Sequence, residues 1–144
     1  MCDESISVCD VLYLRCFYCN PPKDKFYVVV ALDPRPLLLI VNSKLNNYVL
    51  SNENLISCNK KISLNGHEGF LRYDSWIDCC NVVEDFPMED IETQLKFGAI
   101  NHGKITKETQ QDIITGVSNS PVMKRKLKNI ILQSLKKIDY YLLY

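Results

Sequence analysis

The sequence predicts an α+β protein: a small, strongly bent antiparallel sheet followed by C-terminal helices. Three observations carry this. Short β-rich runs fill the chain up to Pro87, and helical periodicity replaces them afterwards. Nothing between those runs is long enough for a crossover helix, so the strands pair antiparallel. Strands first and helices after is the order of an α+β layout. At 144 residues the chain amounts to about one domain. Residues 7–87 would form its β part and residues 88–144 a helical part packed on it.

The elements follow in order. "SVCDVLYLRCF" (7–17) alternates and is rich in β-formers, so it reads as the first strand. "NPPKD" is a loop, set by two prolines and two charges. Residues 26–32, "FYVVVAL", are apolar on both faces and read as a central strand. "DPRP" is a turn, since each proline fixes φ and Asp favours turn initiation. Residues 37–43 return as a third strand, which makes a hairpin. After the turn "SKLNN", residues 48–62 are expected to hold one or two short strands, with "SNEN" as a break. "SLNGHEGF" is a polar loop, and "WIDCCNVVED" is a further β-rich run closed by Pro87.

Beyond Pro87, "MEDIETQL" (88–95) reads as a helix with acids in its first turn, where the helix dipole favours them. "AINHGKI" is a connector. Thr106 is an N-cap for a helix over 106–117, with Gly116 near its end. Ser120 and Pro121 open a last helix over 121–138 as N-cap and N1. Val122, Leu127, Ile130, Ile131, Leu135 and Ile138 form its apolar stripe, to be docked on the sheet or on a partner. Five or six short antiparallel strands capped by helices suggest a small SH3-like barrel.

Composition excludes some classes. Apolar content of 47% and charged content of 24% are ordinary for a soluble globular chain, and no apolar run approaches the roughly 20 residues of a membrane span. The acidic start "MCDESISVCD" has no basic n-region, so no signal peptide is expected, and a cytoplasmic location follows. Net charge is zero but uneven: residues 1–103 carry 14 Asp/Glu to 9 Lys/Arg, and residues 104–144 carry 8 Lys/Arg to 3 Asp/Glu. The basic excess sits in "MKRKLKNIILQSLKK", either a solvated helix face or a surface for phosphates. Seven cysteines, an odd number without a secretory context, point to reduced thiols. "CFYC" (16–19) has metal-ligand spacing, but a second separated pair is missing. Buried apolar thiols are expected instead, with no metal and no cofactor.

Chemistry gathers around the hairpin. Lys25 stands before its first strand and Ser43 after its second, so antiparallel pairing brings them together. Each also has a plain reading: Lys25 as a solvated edge charge, Ser43 as a turn residue bonding its own backbone. Arg35 sits in the turn as a solvent-facing tip or a phosphate contact. His67 in "NGHEG" is a general acid or base, or incidental. Tyr73 and Trp76 in "RYDSWID" are base-stacking candidates, though Trp76 reads better as core.

Over residues 7–90 the order and spacing resemble the PemK/MazF toxin family of SH3-like barrels, mostly dimeric, metal-independent endoribonucleases of single-stranded RNA. The family's first strand begins with Gly-Asp; here "CDVLYL" has Cys9 and Asp10. Its second strand opens with Arg-Pro, and the next ends in Thr or Ser. Two registers fit. In one, "RPLLLIVNS" is the Arg-Pro strand, Arg35 is the catalytic cation and the hydroxyl falls near Ser57. In the other, "KFYVVV" takes that place with Lys25 as the cation, "LLLIVNSKLN" supplies Ser43, and "GFLRYDSWIDC" matches a later Asp-Ser strand at Asp74 and Ser75. The second accounts for both apolar runs. Lysine for arginine is a substantive change, because a planar fork binds phosphate through two bonds and an ammonium does not.

The resemblance implies an endoribonuclease in which Lys25 stabilises the transferring phosphate, Ser43 holds or polarises it, and Arg35 adds a contact. Lys23, Lys44, Lys124, Arg125 and Lys128 would bind RNA. The alternative is a non-catalytic module of the same type that binds RNA, an antitoxin-like protein or a second copy of itself.

Overall fold

The two longest apolar runs pair with each other. In the computed structural model, which describes residues 6–17 and 19–142 with side chains to residue 137, β2 (Lys23–Ala31) and β3 (Leu37–Asn42) form an antiparallel hairpin across the Asp-Pro-Arg-Pro turn. Phe26 lies opposite Val41 and Val28 opposite Leu39. β1 (Asp10–Cys16) flanks β2 on its other side, with Tyr13 opposite Phe26. β4 (Asn59–Ile62), β5 (Ser75–Asp78) and β6 (Ile100–Lys104) complete one sheet in the order β4-β5-β3-β2-β1-β6, every pairing antiparallel.

β4 and β6 are edges that do not meet, so the sheet is open where a closed barrel was expected. Helices on both faces explain this. α4 (Lys107–Ser118) and α5 (Arg125–Leu142) bring Ile113, Val117, Ile131 and Leu135 onto the face of Val11, Val28, Leu39 and Ile77. α3 (Met88–Lys96) brings Ile91 and Leu95, with Phe86, onto the face of Leu12, Leu14, Tyr27 and Leu38. The apolar area that closure would bury is already covered, at about 1.5–3 kcal/mol for each large side chain. This is also why β2 from Phe26 onward and β3 up to Val41 are apolar on both faces. Among the described residues no helix is long and apolar enough to cross a membrane.

Residues 48–62 hold one strand, within the one or two expected, and it is preceded by two helices, α1 (Asn47–Leu50) and α2 (Glu53–Ser57). Asn46 and Asn52 are their N-caps, accepting from the Val49 and Asn54 N–H groups at 2.9 and 3.0 Å. "AINHGKI" contains β6, held to β1 by Asp10, whose buried carboxylate accepts from Asn101 Nδ2 (3.0 Å) and Lys104 Nζ (3.4 Å). The last helix begins at Arg125, because the Ser120 hydroxyl donates to Cys80 O (2.8 Å) and accepts from Met123 N–H (3.1 Å), which holds residues 121–123 in a turn. Val122 is therefore exposed rather than part of the stripe. The side chain of Ile138 lies outside the described residues.

The cysteines are also not all reduced. Cys16–Cys19 and Cys58–Cys80 are disulfides, with Cα atoms 5.6 and 5.5 Å apart, inside the reach of such a bond. The β4–β5 register continues past the opposed pair Asn59 and Asp78 to Cys58 and Cys79, whose N–H donates to Cys58 O (3.0 Å), and the disulfide reaches one residue further, to Cys80. Cys79 stays a thiol whose pKa burial raises. It packs under α4 so closely that a Cβ on Gly116 would come within 2.9 Å of its own Cβ. Cys2 lies outside the described residues.

Cys9 has a φ of +79°, a conformation that favours glycine. Cys9→Gly and Cys9→Ala lose the same buried thiol, but only glycine relieves the backbone. Cys9→Gly is expected to be the more stable of the two by about 1 kcal/mol. Urea denaturation midpoints measure the difference, and an alanine variant as stable as the glycine one contradicts it.

Candidate nucleic-acid cleft

The open end of the β2–β3 hairpin borders a cleft of about 580 Å³. Its floor comes from the sheet. Tyr13 of β1 and Phe26 of β2 are cross-strand partners with ring centroids 4.5 Å apart. His102 of the edge strand β6 lies 5.7 Å from Phe26, and Phe70 lies 5.3 Å from Phe26 and 5.5 Å from His102. Four rings thus form one cluster. All four are half-buried, with part of each surface in contact with solvent.

Phe70 belongs to the loop between β4 and β5, which two residues organise. Asp74 accepts from Leu64 N–H (2.6 Å) and pairs with Lys61 (3.2 Å); the Leu64 bond first and Lys61 second hold its carboxyl below the usual range. His67, 4% exposed, has Nδ1 2.8 Å from Ser63 O, and its Nε2 accepts from Thr106 N–H at 3.2 Å. Both ring nitrogens are occupied, so His67 clips the loop to the start of α4. Ser75 is buried and donates to Tyr73 O (3.2 Å). The Asp-Ser pair is thus engaged in building the wall.

Lys23, Lys25 and Arg72 border the cleft, against one carboxylate, Asp24. Burial first, and then Lys23, lower the pKa of Lys25. Its ammonium donates to Asn42 Oδ1 at 3.4 Å. Burial likewise lowers the pKa of His102, which favours the neutral ring.

The expected residues divide. Lys25 and Ser43 do border the same cleft, as the hairpin requires. The ladder, however, sets Asn42 rather than Ser43 across from Lys25, and alternation turns Lys25 away from the face of Phe26. Lys23 is on the rim. Arg35 is at the far end of the hairpin, about 20 Å from Lys25 by strand rise, and pairs with Glu84. Lys44, Lys124, Arg125 and Lys128 do not line the cleft. Lys128 instead donates to Ser118 O (3.3 Å) at the end of α4. Tyr73 is 58% exposed on the cleft wall, while Trp76 is half-buried outside it. His102, Arg72, Tyr13, Phe26 and Phe70 were not among the sequence candidates. Among the described residues no three His, Cys, Asp or Glu side chains gather as a metal site.

The protein is thus an α+β protein with a concave surface that four aromatic rings line and Lys23, Lys25 and Arg72 border. Comparison with protein-family models, with curated proteins and with solved structures found no match.

Proposed function

We propose that the protein binds single-stranded RNA in this cleft, as a relative of the PemK/MazF-type proteins with its SH3-like barrel opened out into a sheet. The observation that carries the reading is the Tyr13–Phe26–Phe70–His102 cluster bordered by Lys23, Lys25 and Arg72. Single strands expose base faces that stack on rings and phosphates that attract cations, and neither interaction needs a fixed sequence. The positive φ of Cys9 supports the likeness, because it falls where the family has the glycine of Gly-Asp. The resemblance, rather than the geometry, suggests an antitoxin-like partner or a homodimer.

The test is fluorescence anisotropy of a labelled single-stranded RNA over a salt series. Lys25 is engaged by Asn42, so the two other rim cations, Lys23 and Arg72, give an expected slope of about −1.4 in log affinity against log salt, at roughly −0.7 per phosphate contact. Charge reversal at Lys23→Glu and Arg72→Glu together should remove most of that slope and most of the affinity. Binding that ignores both salt and the two reversals rules out this cleft as the RNA site.

A second reading is favoured by one observation. His102 carries a ring that burial keeps neutral, on the wall of the same cleft, where it can take a proton from a 2′-hydroxyl. On this reading the protein cleaves the RNA it binds without a metal, and His102 takes the part that Lys25 and Ser43 were expected to share.

A further inference from the structure

The cleft does not end at β6. A second depression of about 490 Å³ adjoins it and shares Tyr13, Asp24 and Ile100 with it. Phe97, just past the end of α3, stands 78% exposed on its wall, and Ile100 beside it is 50% exposed. Phe17, 70% exposed, borders the same depression, so two exposed aromatic rings that add little to the core face one concave surface. The Lys96 ammonium lies 6.0 Å from the Phe97 ring centroid, so a cation accompanies the platform. Arg15 borders the same depression, paired with Asp24 at 3.3 Å, and both partners keep more than a third of their side-chain surface in solvent. Past Phe17 the surface changes sign: the next depression along is bordered by Asp85 and Asp90.

We propose that this second depression continues the RNA track, with a base stacked on Phe97, phosphates served by Lys96 and Arg15, and the acidic pair Asp85 and Asp90 marking where the strand must leave. The proposal rests on the reading of the first cleft as an RNA site. Continuity of the two depressions gives the path, and the cations along it give the charge complementarity. Phosphate is repelled at Asp85 and Asp90, which bounds the site at that end.

The test compares two single-stranded RNAs of about 4 and about 12 nucleotides, near the ends of the range of single-strand site sizes. The longer one should bind the unsubstituted protein more tightly. Phe97→Ala should weaken the longer one about tenfold, a typical loss for one stacked base, and leave the shorter one unchanged. Phe97 is exposed, so this variant keeps the fold, and an unchanged far-UV spectrum and melting temperature verify that. Asp90→Lys should tighten the longer RNA only. Equal affinities for the two lengths, or a Phe97→Ala variant that binds both like the unsubstituted protein, overturn the extension while leaving the first cleft in place. Loss of self-association in Phe97→Ala with RNA affinity unchanged assigns the depression to a protein partner and also overturns it. If neither RNA binds, the reading of the first cleft fails and the extension fails with it.

Discussion

Ile131→Asp is expected to destabilise the protein by at least about 4 kcal/mol. Ile131 has no exposed surface and sits where α5 packs on β2 and α4. A carboxylate there has no water and no cationic partner from the sheet face, which is apolar at Val28, Val30 and Leu39. It must either stay charged at a large desolvation cost or take up a proton. The loss also spreads to Gln110, a buried side chain whose Nε2 donates to Leu135 O at 2.9 Å. If α5 lifts away, that amide loses its acceptor. Domains of this size are stable by only about 5–15 kcal/mol, so much of the population should be unfolded or missing its last helix. Urea denaturation beside the control Asn129→Asp, on the exposed side of the same helix, gives the comparison. A midpoint for Ile131→Asp equal to the control's would mean that α5 is not docked in solution.

The hairpin was legible because its signal is local. Two apolar runs and a Pro-flanked turn specify β2 and β3 wherever the rest of the chain goes, and the same holds for Thr106 as N-cap of α4, whose hydroxyl accepts from Thr109 N–H at 3.2 Å. Barrel closure was not local. A strand apolar on both faces is compatible with a closed sheet or with a sheet between helix layers. The choice was made by where α3 docks, and nothing in its own sequence says which face of the sheet it will cover. β6 was missed for a related reason. It is an edge strand, half-exposed along its length, so it lacks the alternation that marks a strand, and a carboxylate 91 residues away ties its Asn101 to β1. The site inherits that miss. His102 looked like part of a connector, and only the β1–β6 pairing brings its ring to Phe26. Lys25 and Ser43 were brought together as expected, yet closeness along a ladder is not a shared face. One residue of register decided that Lys25 meets Asn42.

On the cleaving reading, His102→Ala is expected to lower the rate of cleavage of single-stranded RNA about 10²- to 10⁴-fold, the usual contribution of a positioned proton acceptor. The 2′-hydroxyl loses its proton to the ring and its oxygen attacks the adjacent phosphorus. The 5′-oxygen departs, takes a proton from water, and leaves a 2′,3′-cyclic phosphate. Lys23 and Arg72 offset the charge that grows on the phosphate. The pH dependence has a definite sign. A base must be unprotonated, so the rate rises with pH through the folded-state pKa of His102 and is level above it. Burial lowers that pKa, which places the rising limb below the ordinary histidine value of about 6.5. Stability moves in the same direction: in acid the unfolded chain accepts a proton that the folded site resists, so stability is present above about pH 6.5 and lost as the pH falls through the folded value. His102→Ala should abolish the rising limb and retain most of the RNA affinity, since its ring is one of four in the cluster. His102→Gln keeps a polar group of similar reach but no base, and should be as slow as the alanine variant. A 2′-deoxy substrate should bind and not be cut. Cleavage in excess EDTA that persists in both variants with an unchanged pH limb assigns the base elsewhere. An RNA that binds in the cleft and is never cut leaves the binding reading alone.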